Sequence, residues 1–399
     1  MLFYSLIIYL SVLFFDNSLN TKYFILYTSL ISGLAIATKI SSVVFMGVPL
    51  IVIINSKVQL KIQKFFTFNF LPLFLTFAFL LLTLTFALIF SPHNLINYQD
   101  FLSSFRYESA VATGQIKVFY TRQFEGTVPY LFQAIKIFPY TLGWPIYILS
   151  LLGFIFLHWN DKRLNFVRLA VLIYFIPSGY IFAKWSRFTA PILPLMLIFA
   201  ILLILEIIHR VSKIYLKNQK FYIFICRFAF CILIFNLILP GLLYLSVYQK
   251  SDVRFQATDW INKNIPENSL VLSETANVVD IPLTDNKNLD VISFNFYDLD
   301  ENKSLQTDLK NYLSTADYIF VPSRRIFSNH PQKKYPLLYQ YYDNLFSGKS
   351  GFKQVAEFSS GLNDEGAEET WTVFDHPVIR IYKRISNIKS QISKPQLKI

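Results

Sequence analysis

The chain has 399 residues, is 54% hydrophobic and only 16% charged, and contains 41 Phe and 24 Tyr. A soluble domain ordinarily carries about 25% charged residues, so the composition predicts a chain that meets lipid. The net charge of +12 is unevenly placed: residues 1–249 hold 19 Lys and Arg against 6 Asp and Glu, whereas residues 250–399 hold 18 against 19. A nucleic-acid module would gather its basic residues on a soluble face, so nucleic acid is set aside as a partner. Positive charge flanking apolar runs suits membrane topology and lipid phosphates instead. Cys226 and Cys231 lie in one apolar segment at a helical spacing that points them apart, so no disulfide or zinc framework is expected.

In chain order, Leu2–Phe15 is apolar but lacks the basic start and small-residue cleavage pattern of a signal peptide. Tyr23–Thr38 and Ile40–Ser56 form two apolar arms around Lys39, and Asn55–Lys64 carries three lysines with no acid. Phe65–Phe90 is the longest apolar run of the first half. A long connection, residues 91–138, contains the amphipathic piece Asn94–Ala112 and then the run Tyr120–Tyr130. Pro139–Leu157, Leu169–Ala183, Phe188–Leu205 and Phe221–Gln249 complete a set of eight expected spans. Basic residues crowd the alternate loops 55–64, 158–168 and 209–220, which the positive-inside rule assigns to the cytoplasm. Lys39, the 91–138 loop, the Lys184/Arg187 link and the tail from Lys250 then face outside.

The predicted fold class is a polytopic α-helical membrane protein of about eight spans with a C-terminal α/β soluble domain. Residues 1–249 form the membrane domain, 250–385 the extracytoplasmic domain, and 386–399 a polar tail expected to be disordered. Within the tail, Asp252–Asn264, Glu301–Ser314 and Tyr335–Phe346 read as helices. Ser269–Ser273, Asn288–Phe296, Ala316–Pro322 and Phe352–Phe358 read as strands, an alternation that favours a partly parallel sheet. Glu369–Tyr382 reads as two further strands around an Asp375-His376-Pro377 turn.

No glycine-rich phosphate loop, zincin pattern or Ser-His-Asp arrangement is visible. His158 and His209 sit at cytoplasmic helix ends as interfacial residues, and His376 reads as a structural turn residue. Glu206 and Arg210, four apart, read as a surface ion pair. Lys39, Lys184 and Arg187 differ, because they fall on the outer face where positive charge is otherwise sparse. The link between Leu169–Ala183 and Phe188–Leu205 is too short to carry its two cations away from the bilayer surface. Interfacial anchoring and a lipid-phosphate site both fit them.

Several stretches together resemble the lipid-carrier-dependent glycosyltransferases of the C-type membrane superfamily, whose branches include protein O-mannosyltransferases and aminoarabinose transferases. They are Gly33–Lys39, Tyr120–Tyr130 with Gly143-Trp144-Pro145, Arg187-Phe188 through Pro194, and Glu368–Pro377 in the tail. The resemblance implies a bacterial-type plasma membrane, a polyprenyl-phosphate-linked sugar as donor, and a glycan, lipid or protein acceptor outside. It implies that Lys39, Lys184 and Arg187, helped by Arg122 and Tyr130, hold the donor phosphate, and that Glu108 and Glu125 orient an acceptor or metal. The family's catalytic Asp or Glu base has no counterpart here, so no catalytic residue is assigned. The opening Met1-Leu2-Phe3-Tyr4-Ser5 resembles a helix several spans into such proteins, which predicts a chain lacking its N-terminal catalytic part. Whether it is an enzyme stays open, and so does its cofactor: a divalent cation suits the chemistry, but no pattern supplies its ligands. The alternative is a non-catalytic lipid-binding or scaffolding membrane protein with an exported interaction domain.

Overall fold

The computed structural model describes residues 1–55, 70–214, 219–275, 280–283 and 288–385. The chain begins with α1 (Leu2–Phe15) and α2 (Thr21–Thr38), then a 3₁₀ stretch, Ile40–Met46, that runs into α3 (Gly47–Asn55). Next come α4 (Leu71–Phe90), α5 (His93–Ile96), α6 (Tyr98–Thr113), α7 (Leu131–Lys136) and α8 (Phe138–Thr141). They are followed by α9 (Trp144–Phe156), α10 (Lys162–Tyr180), α11 (Ser186–Thr189), α12 (Leu193–Ile214) and α13 (Gln219–Gln249). The chain divides into two compact units: residues 1–116 with 141–233, and residues 117–140 with 234–399.

The expectation of eight spans is corrected. Among the described residues, two helical segments are long and apolar enough to cross a membrane, Leu71–Phe90 and Ser186–Arg210. The sequence reading counted apolar runs, and the folded chain breaks several of them into shorter pieces. The 14 residues of α1 and the 13 of α9 are too few, since a hydrocarbon core of ~30 Å needs roughly 20 helical residues. α2 reaches 18 residues, but Thr28, Ser29, Ser32 and Gly33 interrupt its apolar face. α10 carries Lys162, Arg163 and Arg168. The basic stretch from 56 to 69, Lys217 and the polar end 386–399 lie outside the described residues.

In the first unit, glycines let helices approach closely. A Cβ on Gly33 of α2 would stand 2.5 Å from Phe86 Cβ of α4, and one on Gly153 of α9 would collide with the Phe199 carbonyl of α12. Arg168 is buried yet satisfied: it donates to Phe154 O and Leu157 O, each at 2.7 Å, and lies 4.2 Å from the Trp159 ring centroid. A cation on the last carbonyls of α9 complements both the orphan acceptors and the helix dipole.

The second unit is a sheet covered on both faces. β1 (Leu270–Glu274), β2 (Asp290–Phe294), β3 (Tyr318–Val321), β4 (Phe352–Phe358) and β5 (Ile379–Arg384) form one sheet in the order β2-β1-β3-β5-β4. β2-β1-β3 run parallel, and β5 and β4 add antiparallel pairs. Period-2 alternation splits the core. Leu272, Ile319 and Val321 face α15 (Lys303–Thr315) and α16 (Pro336–Phe346), whereas Val271 and Phe320 face α14 (Val253–Asn264). These strands begin and end within two residues of the expected ones, except at the end of the chain. The expected strand from Glu369 is instead the short helix α17 (Glu369–Thr372), because the Glu368 carboxylate accepts from the Thr370 N–H at 3.2 Å and caps a helical turn.

Candidate functional site

In the first unit the chain folds Lys39 and Arg187 onto one aromatic ring. Lys39 ends α2, its N–H donating to Ala35 O at 3.0 Å, and its extended backbone (φ −157°, ψ 114°) turns the chain away. Its ammonium lies 5.2 Å from the Phe188 ring centroid, and the Arg187 guanidinium lies 5.7 Å from the same centroid. Arg187 also covers Trp185 at 4.5 Å, and the Trp185 and Phe188 rings meet edge to face at 5.3 Å. The Tyr174 hydroxyl holds this turn by donating to Phe188 O at 2.9 Å. From the other side, the Ala183 N–H donates to Ala112 O at 3.0 Å, and Gly114 (φ +80°) leaves room for the Phe182 ring. Lys184 is buried in the same turn and donates to Phe182 O at 2.9 Å.

Among the described residues neither Lys39 nor Arg187 takes part in an ion pair. Burial first, and the Arg187 charge second, hold the Lys39 pKa below its ordinary value; burial alone lowers that of Lys184. Two cations sharing a half-apolar setting with no acid favour an anion. Glu108 is exposed on α6 of this unit.

Arg122, Glu125 and Tyr130 belong to the second unit. Arg122 donates to Tyr297 O and to His330 Nε2 (3.2 Å), lies 3.6 Å from Asp298 Oδ1, and stacks at 5.0 Å on Tyr335. Burial pushes the His330 pKa down to about 4, so the ring is neutral. Its Nδ1–H donates to Ile326 O at 2.6 Å, leaving Nε2 to accept from Arg122. Arg122 therefore locks the 117–140 segment to the sheet. Glu125 is nearly buried, accepts from Lys334 at 3.0 Å and lies 3.8 Å from Lys117. Tyr130 occupies φ 64°, ψ −42°, the centre of a γ-turn in which Leu131 N–H reaches Pro129 O at 2.7 Å. That turn is the strained hand of its type.

No protein-family model matches this chain, and no curated protein matches it. What the turn at Lys39 and Arg187 can do follows from its own chemistry. Among the described residues no group of three or more His, Cys, Asp or Glu is placed to hold a metal ion.

Sequence reasoning missed two groups in the second unit. One is the buried pair Arg325–Glu369 (3.2 Å), to which Gln123 donates at 3.3 Å and Asn329 also donates. Burial raises the Glu369 pKa to about 7, against the opposing pull of Arg325. In the sequence, Arg324-Arg325 and Glu368-Glu369 look like ordinary solvated charge, yet the fold buries all four. The other is His376 with Asp364, twelve residues apart and 2.8 Å from each other.

Proposed function

We propose that the chain holds the phosphate of a lipid-carried sugar with Lys39 and Arg187, as the donor-binding part of a membrane glycosyl transfer reaction. The observation that carries this reading is the pair of cations on Phe188 with no ion-pair partner among the described residues. A phosphate placed between them relieves their mutual repulsion and supplies the counter-charge they lack. The apolar segments Leu71–Phe90 and Ser186–Arg210 suit a membrane setting in which a polyprenyl chain has lipid to lie in. Arg187 stands at the start of the second of these segments, so a headgroup at the bilayer boundary is within reach. When the sugar leaves, negative charge grows on the bridging phosphate oxygen, and fixed cations there stabilise the transition state more than the ground state.

The localisation that the family resemblance implies, a bacterial-type plasma membrane with residues 250–385 outside, belongs to this proposal, and the positive excess of residues 1–249 suits segments that flank a membrane. The test is transfer of a labelled sugar from polyprenyl phosphate in membranes carrying the chain. Replacing Lys39 and Arg187 together by Gln is expected to lower transfer by at least about tenfold, the value of one charge-assisted contact. Undiminished transfer by the double variant overturns the proposal.

A further inference from the structure

Beside the loop that joins α13 to α14 lies a cavity of about 250 Å³, with Lys250, Asp252, Arg254, Asp375 and His376 in its wall. His376 is 2% exposed, and its Nε2 sits 2.8 Å from Asp364 Oδ2, which also accepts from Trp371 Nε1–H at 3.1 Å. A carboxylate only accepts, so Nε2 carries a hydrogen, and in the neutral ring Nδ1 is then an acceptor. That Nδ1 is buried and has no hydrogen-bond partner among the described residues. The Tyr244 ring fixes the imidazole edge-on at 5.5 Å, and its hydroxyl donates to Asp375 at 3.1 Å. A rigidly held, buried acceptor in a cavity wall calls for a donor from outside the protein.

We propose that this cavity binds a neutral polyhydroxylated ring, a single monosaccharide unit, with one hydroxyl donating to His376 Nδ1. Size is the first reason: ligand pockets for larger molecules run to roughly 300–1,000 Å³, and this one falls just below that range. Charge is the second. Arg254 is committed to Asp252 through two hydrogen bonds, at 2.8 and 2.7 Å, while Lys250 and Asp375 oppose each other in sign. A wall balanced in this way selects neither an anion nor a cation. Chemistry is the third: the Lys250 ammonium donates, the Asp375 carboxylate accepts and the imidazole adds an acceptor, and hydroxyls both donate and accept. Tyr248 adds an aromatic face to the wall. The site stands independently of Lys39 and Arg187, and a different probe tests it.

Saturation-transfer NMR on the full chain in detergent, with D-glucose, D-mannose, D-galactose and N-acetyl-D-glucosamine as probes, decides the matter. Saturation is expected to reach the ring protons of at least one sugar and to fall about fivefold or more in His376→Gln. Ser359→Trp fills the cavity from an exposed wall position, where a large side chain disturbs no buried packing, and is expected to give the same loss. A signal from none of these sugars, which leaves the cavity to water, overturns the proposal. So does an undiminished signal in Ser359→Trp.

Discussion

Lys39 titrates below its ordinary value because burial and the neighbouring Arg187 charge both disfavour its ammonium form. Arg187→Gln removes the second cause, so the Lys39 pKa is expected to rise, which NMR of ¹³C-methylated lysines measures; an unmoved titration would mean the two charges do not interact. Glu369 works the other way. Its folded pKa, about 7, lies above the 4.5 of an unperturbed glutamate. The protonated form is therefore favoured by folding, and its contribution to stability is full below pH ~4.5 and lost as pH climbs through about 7. Glu369→Gln is expected to flatten the fall in melting temperature across that window, and an unchanged slope would show that Glu369 is not the group responsible. Lys39 and Arg187 were legible in the sequence because each sits beside the end of an apolar run, where a cation has few alternatives. His376 was not legible as a site. Its turn-forming neighbours Asp375 and Pro377 explain it locally, and the partner that changes its meaning, Asp364, lies twelve residues earlier in the chain.

The helix contacts of the first unit depend on missing side chains. Gly153 faces the Phe199 backbone carbonyl, which cannot rotate aside as a flexible side chain would. Gly153→Leu is expected to separate α9 from α12 and destabilise the chain by about 1–3 kcal/mol, read as a lower midpoint of thermal unfolding. An unchanged midpoint would show that the two helices can part freely. The strands were legible because β-branched and aromatic residues alternate between two buried faces, as in Leu270–Leu272 and Tyr318–Val321. Spans were not, because apolar runs alone do not reveal where helices stop. Lys39 breaks one such run by adopting an extended backbone, and Ile40–Met46 continues it as a 3₁₀ stretch. From Glu369 an alternating pattern lost to a cap, since the Glu368 carboxylate that satisfies the Thr370 N–H favours a helical turn over a strand.

At the scale of the whole chain, residues 117–140 belong with the sheet rather than with the helices on either side. Nothing local announces this, since the anchors of Arg122 and Gln123 lie more than 170 positions away. The proposed orientation, with residues 250–385 outside, predicts that a cysteine at exposed Lys303 reacts with an impermeant maleimide in intact cells whose chain has Cys226 and Cys231 replaced by Ser. Reaction only after lysis would reverse the orientation. The proposed recognition of a lipid phosphate by the paired cations Lys39 and Arg187 rests on charge. Its most direct measurement compares binding of polyprenyl monophosphate with that of uncharged polyprenol, both in neutral vesicles holding the full chain. The wild-type chain is expected to prefer the phosphate by about tenfold or more, and Lys39→Gln with Arg187→Gln to bind both alike. A double variant that keeps the wild-type preference would contradict it.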